Sequence, residues 1–444
     1  MSTYNKAVEM ARRTPETRNR YVDLLRAASI LVVVVGHWLM AAPQVVGDGL
    51  SYNQLLSTNT WSHYLTWVVQ VMPLFFLVGG YANAASWRSA RFREEPYGIW
   101  LRTRLQRLVL PVLPLLGLWA VAAYAMLRVG LDPQAITLGS QAALVPLWFL
   151  ATYLLVVALT PITLRAWDRF GWSSLVVGAA LAGLMDLLAL GFGLTPAGFL
   201  NYVFVWGTVH GLGYAWADES LVGVARRLAT SVAGLVSTAG LVAFGPYPVA
   251  MVGLTTQGVT NSQPPKVTLI TLALFQAGLF LAFEGPVRKW LARDRVWAPV
   301  VMINGRIMTL YLWHMTAMVL VIAGMLLAGG VGLHLEVDSG IWWLTRPLWL
   351  VALTAITLPF IIGFGRFERP RGDPRPAPPA LRPVAAAVLA CAGLGYLAAS
   401  GIADERGLNG LVLSLPFLAF VAGDFGWSRA LRGGDGLPQR GERV

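Results

Sequence analysis

Hydrophobic residues recur along the chain in blocks of about twenty, and each block is bounded by charged residues or by glycine and proline. An α-helix of that length rises far enough to cross the roughly 30 Å hydrocarbon core of a bilayer. The pattern therefore predicts an all-α, polytopic integral membrane protein with about twelve transmembrane helices. We expect them near residues 22–41, 62–83, 107–128, 143–164, 172–192, 198–217, 224–244, 267–284, 299–327, 341–364, 382–402 and 408–427.

A basic, proline-rich segment, RFERPRGDPRPAPPALRP, interrupts this pattern at residues 366–383. Proline-rich segments are stiff and extended, so this one predicts a cytoplasmic linker. It divides a ten-helix core at residues 20–365 from two accessory transmembrane helices at residues 384–427. The ends of the chain, residues 1–19 and 428–444, are predicted to be cytoplasmic tails.

The charge of the chain is strongly positive, with 34 Lys and Arg residues against 22 Asp and Glu residues and a net charge of +12. In a soluble protein this excess would indicate nucleic acid as a partner. Here all but Arg128, Lys266, Arg346 and Arg406 fall on the same side of the predicted topology. Because cytoplasmic loops collect Lys and Arg, we expect a multi-pass protein of the cell membrane with both termini in the cytoplasm. The charge then gives no reason to expect nucleic acid.

Three ionisable residues interrupt the first hydrophobic block, RYVDLLRAASILVVVVGHW. Such residues cost several kcal/mol in a membrane helix unless they are paired or hydrated, so a functional role is the first hypothesis. Arg26 and His37 are eleven residues apart, which places them on one helix face about 16 Å apart along the axis. Asp23 precedes Arg26 by one turn and is positioned to pair with it.

The pattern D-x-x-R-(x10)-H in a first membrane helix resembles the acyltransferase-3 family of bacterial integral membrane O-acyltransferases. The resemblance covers roughly the first 365 residues. It is carried by Asp23, Arg26 and His37, by MPLFFLVGGY at 72–81, by the R-x-x-R of Arg104 and Arg107 followed by Pro111, and by LYLWH at 310–314. It implies transfer of an acyl group to a hydroxyl, and His37 matches the essential histidine of the family.

The candidate catalytic residues are His37, His314 and Asp186. A neutral imidazole can take a proton from a hydroxyl as it attacks a thioester, which is the role expected for His37. His314 reaches a predicted depth of about 22 Å, close to the roughly 24 Å of His37, so it is a partner of His37, a group that orients the hydroxyl, or a packed interior histidine. Asp186 reaches about 21 Å and is a candidate to polarise one of the two rings.

The candidate binding residues for the acyl donor are Arg104 and Arg107, joined by Arg26 with its partner Asp23. Guanidinium pairs suit phosphate oxygens, so these residues are expected to bind acyl-coenzyme A, with acetyl-coenzyme A foremost. The alternative is that these arginines serve topology alone. No metal is expected, because Cys391 is the only cysteine and the spacing of His334 and Glu336 lacks further ligands.

These observations predict a membrane O-acyltransferase that transfers an acetyl or other short acyl group from cytosolic acyl-coenzyme A. The resemblance implies a carbohydrate-containing or lipid-linked acceptor, such as an envelope glycan, a glycolipid or a glycosylated small molecule, and the surrounding partner is membrane lipid. The alternative is a proton-coupled secondary transporter, because about twelve spans with intramembrane Asp, Arg and His also describe such a carrier. A non-catalytic lipid- or glycan-binding subunit is a third interpretation.

Overall fold

The computed structural model of the protein describes residues 3–15, 18–47, 49–253, 258–368, 379–404 and 406–425. These residues are mostly helical, with two short antiparallel hairpins, β1–β2 (Ala41–Val46 and Gly49–Gln54) and β3–β4 (Ala403–Asp404 and Gly407–Leu408). The helices are α1 (Thr3–Arg12), α2 (Arg20–Met40), α3 (Leu55–Thr58), α4 (Ser62–Val69), α5 (Met72–Phe92), α6 (Tyr97–Val109), α7 (Val112–Arg128), α8 (Pro133–Leu144), α9 (Leu147–Phe170), α10 (Trp172–Asp186), α11 (Asn201–Ala217), α12 (Val224–Phe244), α13 (Thr268–Ala282), α14 (Glu284–Leu291), α15 (Asp294–Asn304), α16 (Ile307–Leu327), α17 (Gly340–Phe364), α18 (Leu381–Ser400) and α19 (Gly410–Ala422).

Eight helical stretches in the described part of the chain are long and apolar enough to cross a membrane. The number rises to ten if the bent pairs α6–α7 and α13–α14 each count as one span. The two other predicted spans correspond to α11, with 17 residues, and α19, with 13 residues, which are shorter than the roughly 20 residues of a typical span. The helical, multi-pass membrane fold is therefore confirmed. The count of about twelve and the cytoplasmic position of both termini stay predictions.

One end of the helix bundle, here called the basic end, is organised around the buried carboxylate of Glu284. This is the end at which α2 and α12 begin and α5 and α11 finish. Asn19, just before α2, donates hydrogen bonds to Tyr81 of α5 and to Glu284. Trp216 of α11 and Arg227 of α12 also donate to Glu284. A carboxylate buried in this way is stabilised by its donors, so it connects the start of α2, the end of α11 and the start of α12 to the junction of α13 and α14.

The opposite end is closed by the β1–β2 hairpin and by the loop between α16 and α17. The backbone N–H of Val45 donates to the carbonyl of Leu333, and the side chain of Gln44 donates to the carbonyl of Leu335. These bonds connect the end of α2 to the connection that follows α16. The helices α2, α16 and α17 therefore approach one another at this end.

Glycine allows α5 and α11 to pack closely in the middle of the bundle. A Cβ added at Gly80 would lie 1.8 Å from the carbonyl oxygen of His210, and one added at Gly213 would lie 2.2 Å from that of Leu77. Either contact is far inside the van der Waals distance, so a larger residue would force the helices apart. Gly80, in the 72–81 segment, therefore has a scaffold role in the packing of α5 against α11.

The terminal segments pack against the core. In the predicted 1–19 tail, Ala7 and Ala11 of α1 are fully buried and pack in the core cluster together with α15. At the other end, Cys391 of α18 donates to the carbonyl of Ala151, and Gln106 of α6 donates to that of Phe425. The predicted linker lies mostly outside the described residues, as does the predicted 428–444 tail, so the domain division stays a prediction.

Candidate active site

Two histidines from different helices meet inside the bundle. The Nδ1 atom of His37, on α2, lies 3.0 Å from the Nε2 atom of His314, on α16. The two rings are nearly parallel, with an interplanar angle of 15° and a centroid separation of 5.2 Å. Of the alternatives that the sequence left for His314, the structure shows the one in which it contacts His37. His314 is fully buried, whereas His37 is only partly buried.

The hydrogen bonds of this pair determine which nitrogen of His37 is free. The Nδ1 atom of His314 lies 2.6 Å from the carbonyl oxygen of Tyr311, which can only accept, so this nitrogen carries the hydrogen. In a neutral ring the Nε2 atom of His314 then has the lone pair and accepts from Nδ1–H of His37. The Nε2 atom of His37 is left with its lone pair. A chain of two hydrogen bonds thus prepares His37 as a base.

Indole and phenol groups hold the two histidine-bearing helices in place. Trp38 donates to the carbonyl of His314 at 3.1 Å, and Trp349 of α17 donates to the carbonyl of Trp38 at 2.8 Å. The hydroxyl of Tyr311 donates to the carbonyl of Pro146 at 2.8 Å. Each of these donors is buried, where an unmade hydrogen bond would be costly. The network therefore restricts movement of α2 against α16 around the pair.

Asp23 and Arg26 form the contact that their spacing predicts, 2.9 Å between Nη2 and Oδ1. Arg18, before the helix, also pairs with Asp23, at 2.6 Å, and this hydrogen bond raises the pKa of Arg18 above its ordinary value. The Nε atom of Arg26 donates to Asn304 of α15 at 2.8 Å, and Asn304 donates back to the carbonyl of Asp23 at 3.0 Å. Arg26 is thus held at the basic end with a third of its side chain exposed.

Arg104 and Arg107 extend this cationic region. Arg104 donates to the hydroxyl of Ser86 on α5, and its guanidinium lies 5.8 Å from the ring centroid of Trp100. It is within electrostatic range of both Arg26 and Arg107. The structure therefore places the three predicted arginines near one another. Their role in binding a donor stays a prediction.

Sequence reasoning missed Glu368, which positions the helix that carries His314. Its two carboxylate oxygens accept from the backbone N–H groups of Met308 and Thr309 at 2.9 and 3.1 Å, and from the Thr309 hydroxyl at 3.0 Å. These N–H groups have no partner within the helix, and a negative charge is favourable at a helix N-terminus. Glu368 therefore caps α16. It also lies within electrostatic range of Arg26.

Asp186 does not form the predicted contact with a histidine ring. Its carboxylate accepts from Asn201 at 2.8 Å, from Tyr247 at 3.1 Å and from the backbone N–H of Val267 at 2.9 Å. Burial, and then the charge of Asp186, raise the pKa of the Tyr247 phenol, which keeps this donor neutral. Depth alone was a poor guide, because Asp186 lies at the end of α10 and connects it to the segment between α12 and α13. The group that contacts the His314 ring in its place is the carbonyl of Tyr311.

In the described residues, no group of three or more His, Cys, Asp or Glu side chains is arranged to hold a metal ion.

Comparison with known families assigns most of the chain. The family model of the acyltransferase domain of the acyltransferase-3 type matches residues 19–366, which include the histidine pair and the three arginines. Comparisons with curated proteins and with solved structures give no match. The chain belongs to the acyltransferase-3 family and is a membrane acyltransferase.

Proposed function

We propose that this protein transfers a short acyl group, acetyl foremost, from cytosolic acyl-coenzyme A to a hydroxyl of a carbohydrate-containing or lipid-linked acceptor. The observation that carries the proposal is the hydrogen-bond chain from the Tyr311 carbonyl through His314 to His37. It leaves one imidazole nitrogen as a base, in a protein that belongs to an acyltransferase family.

The reaction follows from this arrangement. The Nε2 atom of His37 removes the proton of the acceptor hydroxyl while its oxygen attacks the thioester carbonyl carbon. The C–O bond forms, the carbonyl electron pair moves to oxygen, and its return breaks the C–S bond. The thiolate leaving group then takes the proton from His37, so the products are an ester and a free thiol. His314 stabilises the transient charge, because the bond from His37 to it becomes charge-assisted.

The arginines at the basic end support binding of the donor there. Coenzyme A carries phosphates, and guanidinium groups bind phosphate oxygens in pairs. Arg104 and Arg107 form no ion pair with a carboxylate in the described part of the chain, so their charges are open to such a ligand. Arg26 lies about 16 Å from His37 along α2, so the phosphates at one end and the thioester at the other suit an extended donor.

The test is a comparison of envelope glycans, glycolipids and secreted glycosides by mass spectrometry. Cells would carry the wild-type protein, the His37→Ala variant or a His334→Ala control, which changes an exposed histidine of the loop after α16. We expect an acylated species that is lost only with His37→Ala. Purified protein in detergent should also release free thiol from acetyl-coenzyme A when the corresponding deacylated acceptor is added. A transporter would instead need sealed vesicles and a gradient, and would release no thiol in detergent.

A further inference from the structure

Arg346 is a buried cation on the side of the histidine pair away from the basic end. It lies on α17 with only 8% of its surface exposed. Its Nη1 atom is 3.3 Å from the carbonyl oxygen of Ala41, and the N–H of Ala41 in turn bonds to the carbonyl of His37. One turn further along α17, Trp349 bonds to the residue after His37. Arg346 is therefore connected by hydrogen bonds to the last turn of α2, which carries His37.

Within the described residues, no acidic side chain pairs with Arg346 to neutralise its charge. Its guanidinium lies between two indole rings, 4.0 Å from the centroid of Trp342 and 5.2 Å from that of Trp349. Its Nε atom is buried and has no hydrogen-bond acceptor. Asp338, an acidic residue of the preceding loop, accepts instead from the indole of Trp343. The aromatic faces attract the cation, but they cannot accept the Nε–H hydrogen bond, and the Ala41 carbonyl that accepts from Nη1 carries no net charge.

A buried guanidinium without an ion pair requires a physical explanation. The buried Asp23 and Glu284 are each surrounded by cationic partners. A buried charge is costly unless it is paired, and an arginine remains protonated rather than losing its charge. Arg346 is also one of the few basic residues predicted to lie outside the cytoplasmic side, so topology gives no reason for it. A bound ligand that supplies the missing anion would explain why this charged residue is buried.

We propose that Arg346 binds an anionic group, a phosphate or a carboxylate, on the hydroxyl-bearing acceptor and thereby directs that hydroxyl toward His37. This inference rests on the proposed acyl transfer and narrows its acceptor to an acidic molecule. The anion belongs to the acceptor rather than to the donor because Arg346 lies beyond His37 along α2, whereas Arg26 precedes His37 at the basic end. The two ends of the site then bind different substrates.

The experiment uses the full protein expressed in cells that lack the native copy. The acylated species that is absent with His37→Ala is isolated and its charged groups are identified by mass spectrometry. Its amount is then compared among the wild type, Arg346→Gln, Arg346→Lys and Arg128→Gln at equal protein level in the membrane. Arg128 is the matched control, because it is exposed and is predicted to lie on the same side.

We expect the acylated molecule to carry a phosphate or a carboxylate. Loss of charge-assisted hydrogen bonds should lower its amount about tenfold or more with Arg346→Gln, whereas Arg346→Lys should retain part and Arg128→Gln all of it. With purified protein, Arg346→Gln should raise the KM for that acceptor and leave the KM for acetyl-coenzyme A unchanged. A loss of folding would instead lower the maximal rate whichever substrate is varied. The change in one KM alone therefore separates a binding role from a loss of folding.

The outcomes distinguish this inference from the proposed function. If no acylated species depends on His37, the acyl transfer itself is refuted. If such a species exists but is neutral, or if it persists with Arg346→Gln, only the role of Arg346 is overturned. A lipid headgroup is the other source of an anion. If wild-type turnover in phosphatidylcholine nanodiscs requires added phosphatidylglycerol, and Arg346→Gln removes that requirement, the anion is a headgroup and the acceptor assignment fails.

Discussion

Replacing His314 tests the hydrogen-bond chain that leaves the Nε2 atom of His37 free. The two informative variants are His314→Gln and His314→Leu. A glutamine amide can accept from Nδ1–H of His37 through its oxygen and donate to the carbonyl of Tyr311 through its nitrogen, as the neutral imidazole does. A leucine fills similar space but makes neither bond. The pair therefore separates the loss of the hydrogen bonds from the loss of the imidazole ring.

The magnitude follows from the change in charge during the reaction. A neutral hydrogen bond contributes about 0.5–1.5 kcal/mol, and a bond from a charged donor about 1.5–3 kcal/mol. When His37 takes the proton, its bond to residue 314 gains the difference, about 1–2 kcal/mol. Since 1.36 kcal/mol is a factor of ten in rate, His314→Leu should lower kcat roughly five- to thirtyfold. His314→Gln keeps an acceptor and should stay within about fivefold of the wild type.

The assay is steady-state release of free thiol from acetyl-coenzyme A, with kcat and KM measured separately on monodisperse protein. We expect the KM for acetyl-coenzyme A to be unchanged in both variants, because Arg26, Arg104 and Arg107 lie at the basic end. The exposed His334→Leu serves as the control. The reasoning is refuted if His314→Leu keeps the wild-type kcat. It is also refuted if a folded His314→Gln protein is as inactive as His37→Ala, since His314 would then do more than accept a hydrogen bond.

Three further predictions concern the base, the donor site and the topology. Removing the base by His37→Ala should lower turnover about 10²- to 10⁴-fold without reducing the amount of inserted protein, and wild-type turnover would contradict the assignment. The double variant Arg104→Gln/Arg107→Gln should raise the KM for acetyl-coenzyme A about tenfold or more. The control Arg91→Gln/Arg93→Gln, at the exposed C-terminal end of α5, should leave this KM unchanged. Equal effects of the two double variants would mean that any positive charge at this end supports binding and that Arg104 and Arg107 have no specific role. A reporter fused after Val444 should be active in the cytoplasm, and activity only on the other side of the membrane would show that the number of spans is odd.

The hydrophobic pattern predicts the straight spans well and the broken ones poorly. The block at 224–244 coincides with α12, because charged or glycine-rich segments bound it on both sides. The block at 107–128 is instead the second part of a pair, in which α6 begins at Tyr97 and α7 continues at an angle of 40° after Pro111. Proline interrupts helical hydrogen bonding and allows the bend. Hydropathy averages over such a break, so it predicts the apolar length but not the change in direction.

For the site, the sequence predicts contacts within one helix better than contacts between helices. Helical spacing alone predicts the Asp23–Arg26 pair, and the structure contains it. Depth in the membrane is a weaker guide, because residues at one depth can lie on any side of a bundle. It grouped His37 correctly with His314 but wrongly with Asp186. Glu368 was missed because nothing in its local sequence indicates which helix it caps.

The first membrane helix is the element that connects both parts of the proposed reaction. The spacing of Arg26 and His37 within α2 sets the separation between the donor region and the base, and this separation cannot change without breaking the helix. Beyond His37, the carbonyl of Ala41 accepts from Arg346, so the same backbone also sets the position of the proposed acceptor anion. In the proposed reaction, donor binding, base catalysis and acceptor binding thus follow one another along one rigid element. The other helices contribute the remaining groups: His314 from α16, Arg346 from α17, and Arg104 and Arg107 from α6. Because these tasks meet on α2, the polar residues within this hydrophobic helix are the part of the sequence that is most informative about function.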